Sequence, residues 1–423
     1  MNILIRSGRL IDPAQGRDEV CDLYIADGRV AAIGHGLAQQ AQQVIDAAGL
    51  VVCPGLVDMH VHLREPGFEY KEDIDSGTRA AAAGGVTSVV AMPNTKPVCD
   101  NPDAVRDVLA RAEARAHVHV YPAAAITRGS GGGELCDYEE LKAAGAVALT
   151  DDGRPVENAA MMMEAMRRAA RCGLAIISHC EEMSLSGGVM NEGETARRLG
   201  VRGITHSFES VQAARECALA METGCPVHIA HVSTWETVAL VRAAKAAGAP
   251  ITCETAPHYI SLTDEAVLDC SANAKMNPPL RGRRDVEALI EALGDGTIDA
   301  IATDHAPHAA HEKAALASAA NGIVGLETSL AVCLGALYHT GRMPLPKIIE
   351  KMTAAPARIV NIPRGSAAVG MEADLALFDP DAYWTVGADM LQSKGKNTPF
   401  LGRTLRGQVK YTIVSGRIVK GGC

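Results

Sequence analysis

Between residues 56 and 303 the chain repeats one pattern eight times: a short apolar run, followed in most cases by a stretch with apolar residues three and four apart. The runs cover residues 56–62, 87–92, 117–123, 146–150, 175–178, 227–231, 251–255 and 300–303. Residues 102–115, 156–171, 235–247 and 285–293 carry the spacing of amphipathic helices. Strand and helix alternating eight times predict a (β/α)8 barrel of the TIM type. A doubly wound open sheet is the structural competitor. The first run is not followed by G-x-G-x-x-G, which counts against its nucleotide-binding version.

The two ends have another texture. Asn2-Ile3-Leu4-Ile5, Asp22-Leu23-Tyr24-Ile25 and Arg29-Val30-Ala31-Ala32-Ile33-Gly34 alternate like strands, and Asp27-Gly28 between two of them is a hairpin signal. Similar runs return at Asp374–Phe378 and from Lys410 to Val419, with an Asp379-Pro380 turn. The expected organisation is a barrel over 54–360 and a small β-sandwich domain built from 1–53 and 361–423.

Of the 423 residues only 3% are aromatic, so the core must be built from aliphatic side chains and methionine. A net charge of −10 argues against a nucleic-acid or anionic-membrane surface. The N-terminal ten residues do not read as a signal peptide, and no uninterrupted apolar stretch is long enough to span a bilayer. Twelve scattered cysteines without a C-x-x-C pair read as reduced, cytoplasmic core residues, which makes a thiolate metal site improbable.

What ends each run carries the chemistry, because strand C-termini face the mouth of a barrel. Run one ends in His60-Val61-His62-Leu63-Arg64, run two in Met92-Pro93-Asn94, and run four in Thr150-Asp151-Asp152-Gly153. Runs five to eight end in Ser178-His179, Ala230-His231, Thr255-Ala256-Pro257-His258 and Thr303-Asp304-His305-Ala306-Pro307-His308. Each has an ordinary explanation. H-x-H puts two imidazoles on one strand face, yet His117-Val118-His119 has the same spacing and reads as structural. Asp151-Asp152-Gly153 alone would be a turn, His179 and His231 satisfied core histidines, and Asp304 a helix cap. Those explanations would all have to hold at once, at periodic positions, so a shared metal site is the stronger reading. Four imidazoles and two carboxylates suit Zn²⁺, with Mn²⁺, Co²⁺ or Fe²⁺ as substitutes. Six ligands are too many for one open tetrahedral zinc and suit two ions roughly 3.5–4 Å apart. Such a pair activates water, which is hydrolase chemistry.

Longer motifs then carry a specific resemblance. They are Asp58-Met59-His60-Val61-His62-Leu63-Arg64-Glu65-Pro66-Gly67, Met92-Pro93-Asn94-Thr95-Lys96-Pro97, Thr150-Asp151-Asp152-Gly153, Met190-Asn191-Glu192-Gly193, Asn277-Pro278-Pro279-Leu280-Arg281, Ala302–His308 and Gly325-Leu326-Glu327-Thr328. In this order, over essentially the whole chain, the sequence resembles the amidohydrolase superfamily and, within it, the type I (long-form) dihydroorotases.

The resemblance implies that His60, His62 and Asp304 bind one zinc, His179 and His231 a second, and that Asp152 bridges them in place of the carboxylated lysine of many relatives. Asp151 would not be the bridge. Arg64, Asn94 and His308, with His62 nearby, would hold the substrate carboxylate, and a guanidinium fork suits that task. Asn277 and the backbone at Asn321 and Gly322 would meet the pyrimidine ring edge. The implied reaction is reversible cyclisation of N-carbamoyl-L-aspartate to L-dihydroorotate in pyrimidine synthesis. It would proceed by metal-activated hydroxide attack on the ring amide, with Asp304 as general base and then general acid. A homodimer or larger assembly is expected, with association with aspartate carbamoyltransferase left open. Residues 190–203 read as a lid.

The sequence departs from the pattern at Ala124, where relatives often have Gly, and at Ala320-Asn321-Gly322, where they tend to have Pro-Phe-Gly. The loop 309–320 is rich in alanine. Two rivals remain at this point: a hydantoinase- or allantoinase-like cyclic amidohydrolase, which usually carries the lysine absent here, and a non-catalytic scaffold, which should have lost a ligand.

Overall fold

A computed structural model describes residues 1–421. Its centre is an eight-stranded parallel sheet, and the strands succeed one another around it in chain order. They are Leu56–Val61, Val86–Ala91, His119–Ala124, Ala148–Leu149, Ala175–Ser178, Val227–Ile229, Ile251–Thr255 and Ala300–Ile301. Each falls on one of the eight apolar runs. The ring closes where His62 N–H donates to the His305 carbonyl at 2.9 Å, beside a parallel bridge between Val61 and His305.

Alternation along the strands, broken in the first by register shifts at Leu56/Val57 and between Asp58 and Val61, sorts the side chains. Val57 and Met59 from the first strand, Val90 and Met92 from the second, and Ala300 and Ala302 from the eighth point into the barrel. Ala123, Ala148, Ile177 and Ala230 complete this filling, so slender methionines and alanines occupy the space that a chain poor in aromatics leaves. Ala357, Val360 and Ile362 join the same cluster. Leu56, Val61, Val89 and Ala91 instead pack outward against the helices.

The helices begin where their caps dictate. Asn101 caps Pro102–Arg115 and Thr234 caps Trp235–Ala246, each through its side-chain oxygen. The helix expected from residue 156 runs Ala159–Cys172, because Asn158 accepts from the N–H groups of Ala160 and Met161 and sets the start there. The fourth helix is longer than its apolar spacing suggested, Arg283–Asp295.

Both termini join in a second sheet of eight strands. Ile3–Asp12 pairs with Arg17–Ala26 on one side. On the other side its first half pairs with Gln43–Asp46 and its second half with Val51–Pro54, so the sheet forks there. Leu375–Thr385 adds to Val51–Pro54, and Thr404–Val414 and Arg417–Lys420 follow. Ile3, Ile5, Leu23, Ile25, Leu375, Leu377 and Ile413 share one apolar cluster, so neither terminus has a core without the other. The Asp27-Gly28 hairpin is present, with φ of 51° and 77°. The run from Lys410 to Val419 is two strands, because Ser415 and Gly416 make a second turn of the same left-handed kind, with φ of 48° and 71°.

Between its last long strands the chain leaves this sheet for the barrel rim. There Asn397 Nδ2 donates to the carbonyls of Ala306 and Gly322, both at 3.0 Å, and Ser393 Oγ donates to Glu72. No helix among the described residues is long and apolar enough to cross a membrane.

Candidate active site at the barrel mouth

The loops after the strands enclose a cavity of about 240 Å³, lined by His62, Arg64, Asn94, Asp152, Gly153, His179, His231, Asn277, Asp304, Ala306, His308, Asn321 and Gly322. Every site residue expected from the sequence is in that lining except His60, which lies fully buried in contact with Asp152. Residues up to 260 positions apart in sequence therefore share one lining, supplied by the strand ends and the loops that follow them.

The geometry is tight. His60 Nε2 lies 3.1 Å from Asp152 Oδ1 and 3.6 Å from Asp304 Oδ1. His62 Nε2 lies 3.0 Å from Asp304 Oδ1 and 3.4 Å from Asp152 Oδ2. His179 Nδ1 is 2.8 Å from His231 Nε2 and 3.6 Å from Asp152 Oδ1. His60, His62 and Asp304 form one group with metal-binding spacing, and His60, Asp152 and His231 another. His179 is in neither group and joins through its contact with His231.

The backbone is strained to bring these groups together. Arg64, His231 and Asp304 have φ of 62°, 36° and 48°, three of the nine non-glycine residues with positive φ among those described. Each such conformation costs on the order of 1 kcal/mol or more and persists where surrounding structure imposes it.

Carboxylates behind the imidazoles set which nitrogen faces the cavity. Glu254 Oε1 is 2.9 Å from His60 Nδ1 and Glu181 Oε2 is 2.8 Å from His179 Nε2. Each carboxylate holds the ring proton on its own side and leaves a lone pair on the other nitrogen. Those lone pairs then point at Asp152 oxygens and at His231, an arrangement that is repulsive unless a proton or cation lies among them. Burial opposes protonation of His60, yet Asp152, Glu254 and Asp304 outweigh it and hold its imidazole well above the ordinary value. Burial, with His179 and His60 as neighbours, pushes His231 down. Asp152 stays far below the usual carboxylate range despite burial, because His60, His179 and His62 surround it. The donor set, all nitrogen and carboxylate oxygen with no thiolate, fits divalent cations.

Sequence reasoning missed Glu254 and Glu181. The signal for Glu254 was available, as a lone carboxylate in the apolar strand Ile251–Thr255. Asp58 was also passed over. It accepts from His60 N–H and Thr303 N–H, tying the first and eighth strands together, and burial raises its carboxyl to about 6.

Other expected residues separate as follows. Asp151 turns away from the cavity and accepts from Ile126 and Thr127 backbone N–H. His117 and His119 pair with Asp75 and Asp374, so that H-x-H is structural. His258 is buried against Tyr259, outside the cavity lining. Arg64 is half-buried, with its Nε donating to the Pro307 carbonyl at 3.3 Å and its NH2 3.5 Å from His308 Nε2. Asn94 Oδ1 accepts from His62 Nδ1 and its Nδ2 donates to Asp152, so both amide ends are engaged. Asn277 Nδ2 donates to Glu181, whereas its buried Oδ1 has no partner among the described residues. Gly322 N–H donates to the Lys275 carbonyl, and the Asn321 carbonyl accepts from His308.

The segment expected as a lid is anchored. Met190–Asn191 pairs in parallel with Gly203–Ile204, and Asn191 bonds Asp264 and Arg281.

Residues 49–237 match the model of the Dihydro-orotase-like family. The dihydroorotase of Geobacter metallireducens is 53% identical over 422 residues, spanning 99% of both chains. That of Geotalea daltonii is also 53% identical, again over 99% of each. Among solved structures, an L-hydantoinase (dihydropyrimidinase) from Arthrobacter aurescens superposes with a TM-score of 0.90 at 27% identity, covering 99% of this chain and 96% of its own.

Proposed function

The chain belongs to the dihydroorotase family, and on that basis we propose that it interconverts L-dihydroorotate and N-carbamoyl-L-aspartate as a zinc-dependent, type I (long-form) enzyme of pyrimidine synthesis. One observation carries the substrate: the half-buried Arg64 guanidinium faces the same cavity as the His–Asp cluster. A half-buried guanidinium at a cavity wall is suited to recognise an anionic group, and the dihydroorotate carboxylate supplies one. His308, 3.5 Å from that guanidinium, and Asn94 complete this end of the pocket. Asn277 Oδ1, lacking a partner, is free to accept from a ring N–H. Asn321 and Gly322 close the cavity around the ring edge.

We assign His60, His62 and Asp304 to one zinc ion, His179 and His231 to a second, and Asp152 to both. Zinc held by these residues would supply Lewis-acid polarisation of the ring amide carbonyl and a lowered pKa for water at the site. The chain's own part is proton movement and positioning. Asp304, held by His62 at 3.0 Å, accepts a proton from the attacking water. It then returns that proton to the amide nitrogen as the carbon–nitrogen bond breaks. Ring closure runs the same steps backwards: Asp304 takes the ureido N–H proton, and water leaves the carboxyl carbon.

The catalytic unit is the barrel of residues 54–360, with the flanking segments 1–53 and 361–423 forming the small domain. The protein works in the cytoplasm as a homodimer or larger assembly on a small-molecule substrate. The test is hydrolysis of L-dihydroorotate by the purified, zinc-replete chain, with dihydrouracil and allantoin in parallel. Turnover confined to dihydroorotate supports the assignment. Turnover that appears only with added aspartate carbamoyltransferase makes it a partner-dependent enzyme. Activity on the uncharged rings alone overturns the substrate.

A further inference from the structure

The loop after the eighth barrel strand holds a buried ammonium group that the reaction does not use. Lys313 ends a short 3-10 turn, Ala310–Lys313, and is 8% exposed. Its Nζ donates to three backbone carbonyls: Lys275 at 3.0 Å, Ala320 at 2.8 Å and Gly322 at 3.0 Å. An ammonium has three protons, so all of them are engaged.

Those carbonyls belong to two segments, distant in sequence, that both lead into the cavity lining. Lys275 stands two residues before Asn277, while Ala320 and Gly322 flank Asn321. Asn277, Asn321 and Gly322 all line the cavity. The Gly322 N–H also donates to the Lys275 carbonyl, at 3.1 Å, so this one oxygen receives the loop backbone and the ammonium together. Gly322 has φ of 118°, and a Cβ there would come within 2.5 Å of the Ala306 Cβ. The backbone conformation at the cavity wall is therefore unusual and needs holding from behind. The loop itself supplies little apolar anchorage, being mostly alanine from 309 to 320.

We propose that Lys313 is a positioning residue for substrate: it ties the Asn277 segment to the Ala320–Gly322 segment and so fixes the spacing of the surface that grips the pyrimidine ring edge. The inference rests on the assignment of Asn277, Asn321 and Gly322 to that edge. Charged groups near the ammonium are Lys275 and, more weakly, His308, with Glu312 its neighbour in sequence. Among the described residues no carboxylate pairs with Lys313, since Glu312 is engaged by Lys71 at 2.7 Å. Burial, with Lys275 nearby, brings its pKa down to about 7, so the clamp loses a proton above neutrality.

The test compares wild type, K313M and K313R by steady-state kinetics on L-dihydroorotate from pH 6 to pH 9, with bound metal and thermal midpoint measured on each. The expected result for K313M is KM raised tenfold or more, kcat within about threefold and metal content unchanged. For wild type, KM should rise between pH 7 and pH 8.5. K313R, which keeps its charge throughout, should lose that rise. A K313M enzyme with KM within twofold of wild type overturns the inference. Should K313M fail to fold, K313Q takes its place with the same two outcomes. Wild-type inactivity on dihydroorotate would instead sink the substrate assignment, which separates the two failures.

Discussion

Glu254 bridges two buried histidines, with Oε1 2.9 Å from His60 Nδ1 and Oε2 3.3 Å from His228 Nε2. All three side chains are essentially inaccessible. The carboxylate stays low, at about 2, because His228 and His60 together overcome its burial. An ionised Glu254 keeps His60 from rotating and from presenting an N–H to a metal.

Glu254→Ala should therefore weaken metal binding by roughly 10–100-fold, the usual effect of removing a carboxylate behind a ligating histidine. Competition against a chelator of known affinity measures it directly. Wild-type affinity in the variant would reduce Glu254 to a packing role.

Asp304 Oδ1 lies 3.0 Å from His62 Nε2 and 3.6 Å from His60 Nε2, and Asp304 sits at a strained backbone position beside the cavity. Asp304→Asn keeps the shape and removes the proton acceptor. Its kcat on L-dihydroorotate should fall about 10²–10⁴-fold, the range of general acid–base catalysis, with circular dichroism and thermal midpoint close to wild type. A variant with near-normal kcat would assign the proton transfer to another group.

The barrel was legible because its signal is periodic. Eight apolar runs, seven of them ending in polar residues, survive any error in individual boundaries, and the histidine and aspartate ligand candidates lay at those ends. Asp152 could be told from Asp151 only by resemblance, and the reason is now physical: the Asp151 carboxylate is engaged by Ile126 and Thr127. What stayed hidden depends on contacts with no local pattern. Asn397, from the C-terminal segment, grips Ala306 and Gly322, and Lys313 reaches back to Lys275. A lone Asn or Lys in a polar stretch gives no sign of either task. The helix at Ala159–Cys172 starts late for a simpler reason, since apolar spacing marks a face and only the Asn158 cap marks the beginning.

Arg64→Met should separate substrate anchoring from chemistry. A hydrogen bond to a charged group is worth roughly 1.5–3 kcal/mol, so losing the guanidinium should raise KM for L-dihydroorotate about 10–100-fold. The effect on kcat should be smaller, because Asp304 and the histidines stay in place. Equal KM in variant and wild type would move carboxylate recognition elsewhere in the cavity.

Acid should loosen the substrate loop before it unfolds the barrel, and the sign follows from His308. Burial and the nearby Arg64 push this imidazole down to about 3, so it stays neutral in the folded chain while the unfolded chain protonates near pH 6.5. The unfolded state then binds more protons, and stability falls as pH drops below 6.5 and continues to fall toward 3. One and a half pH units into that window, at pH 5, the loss from this residue is about 2 kcal/mol. Glu312 adds a second, later loss. Burial opposes its ionisation, but Lys71 and the Ala309 N–H outweigh that and hold it at about 2, so its contribution is present above 4.5 and disappears as pH falls from 4.5 to 2. Both groups belong to residues 308–312, so hydrogen exchange at pH 5 should speed up across 308–322, after correction for intrinsic rates, while the barrel strands stay protected. His308→Asn should remove the part of the slope between pH 6.5 and 4.5. An unchanged slope in that variant would mean that another buried group carries the acid sensitivity.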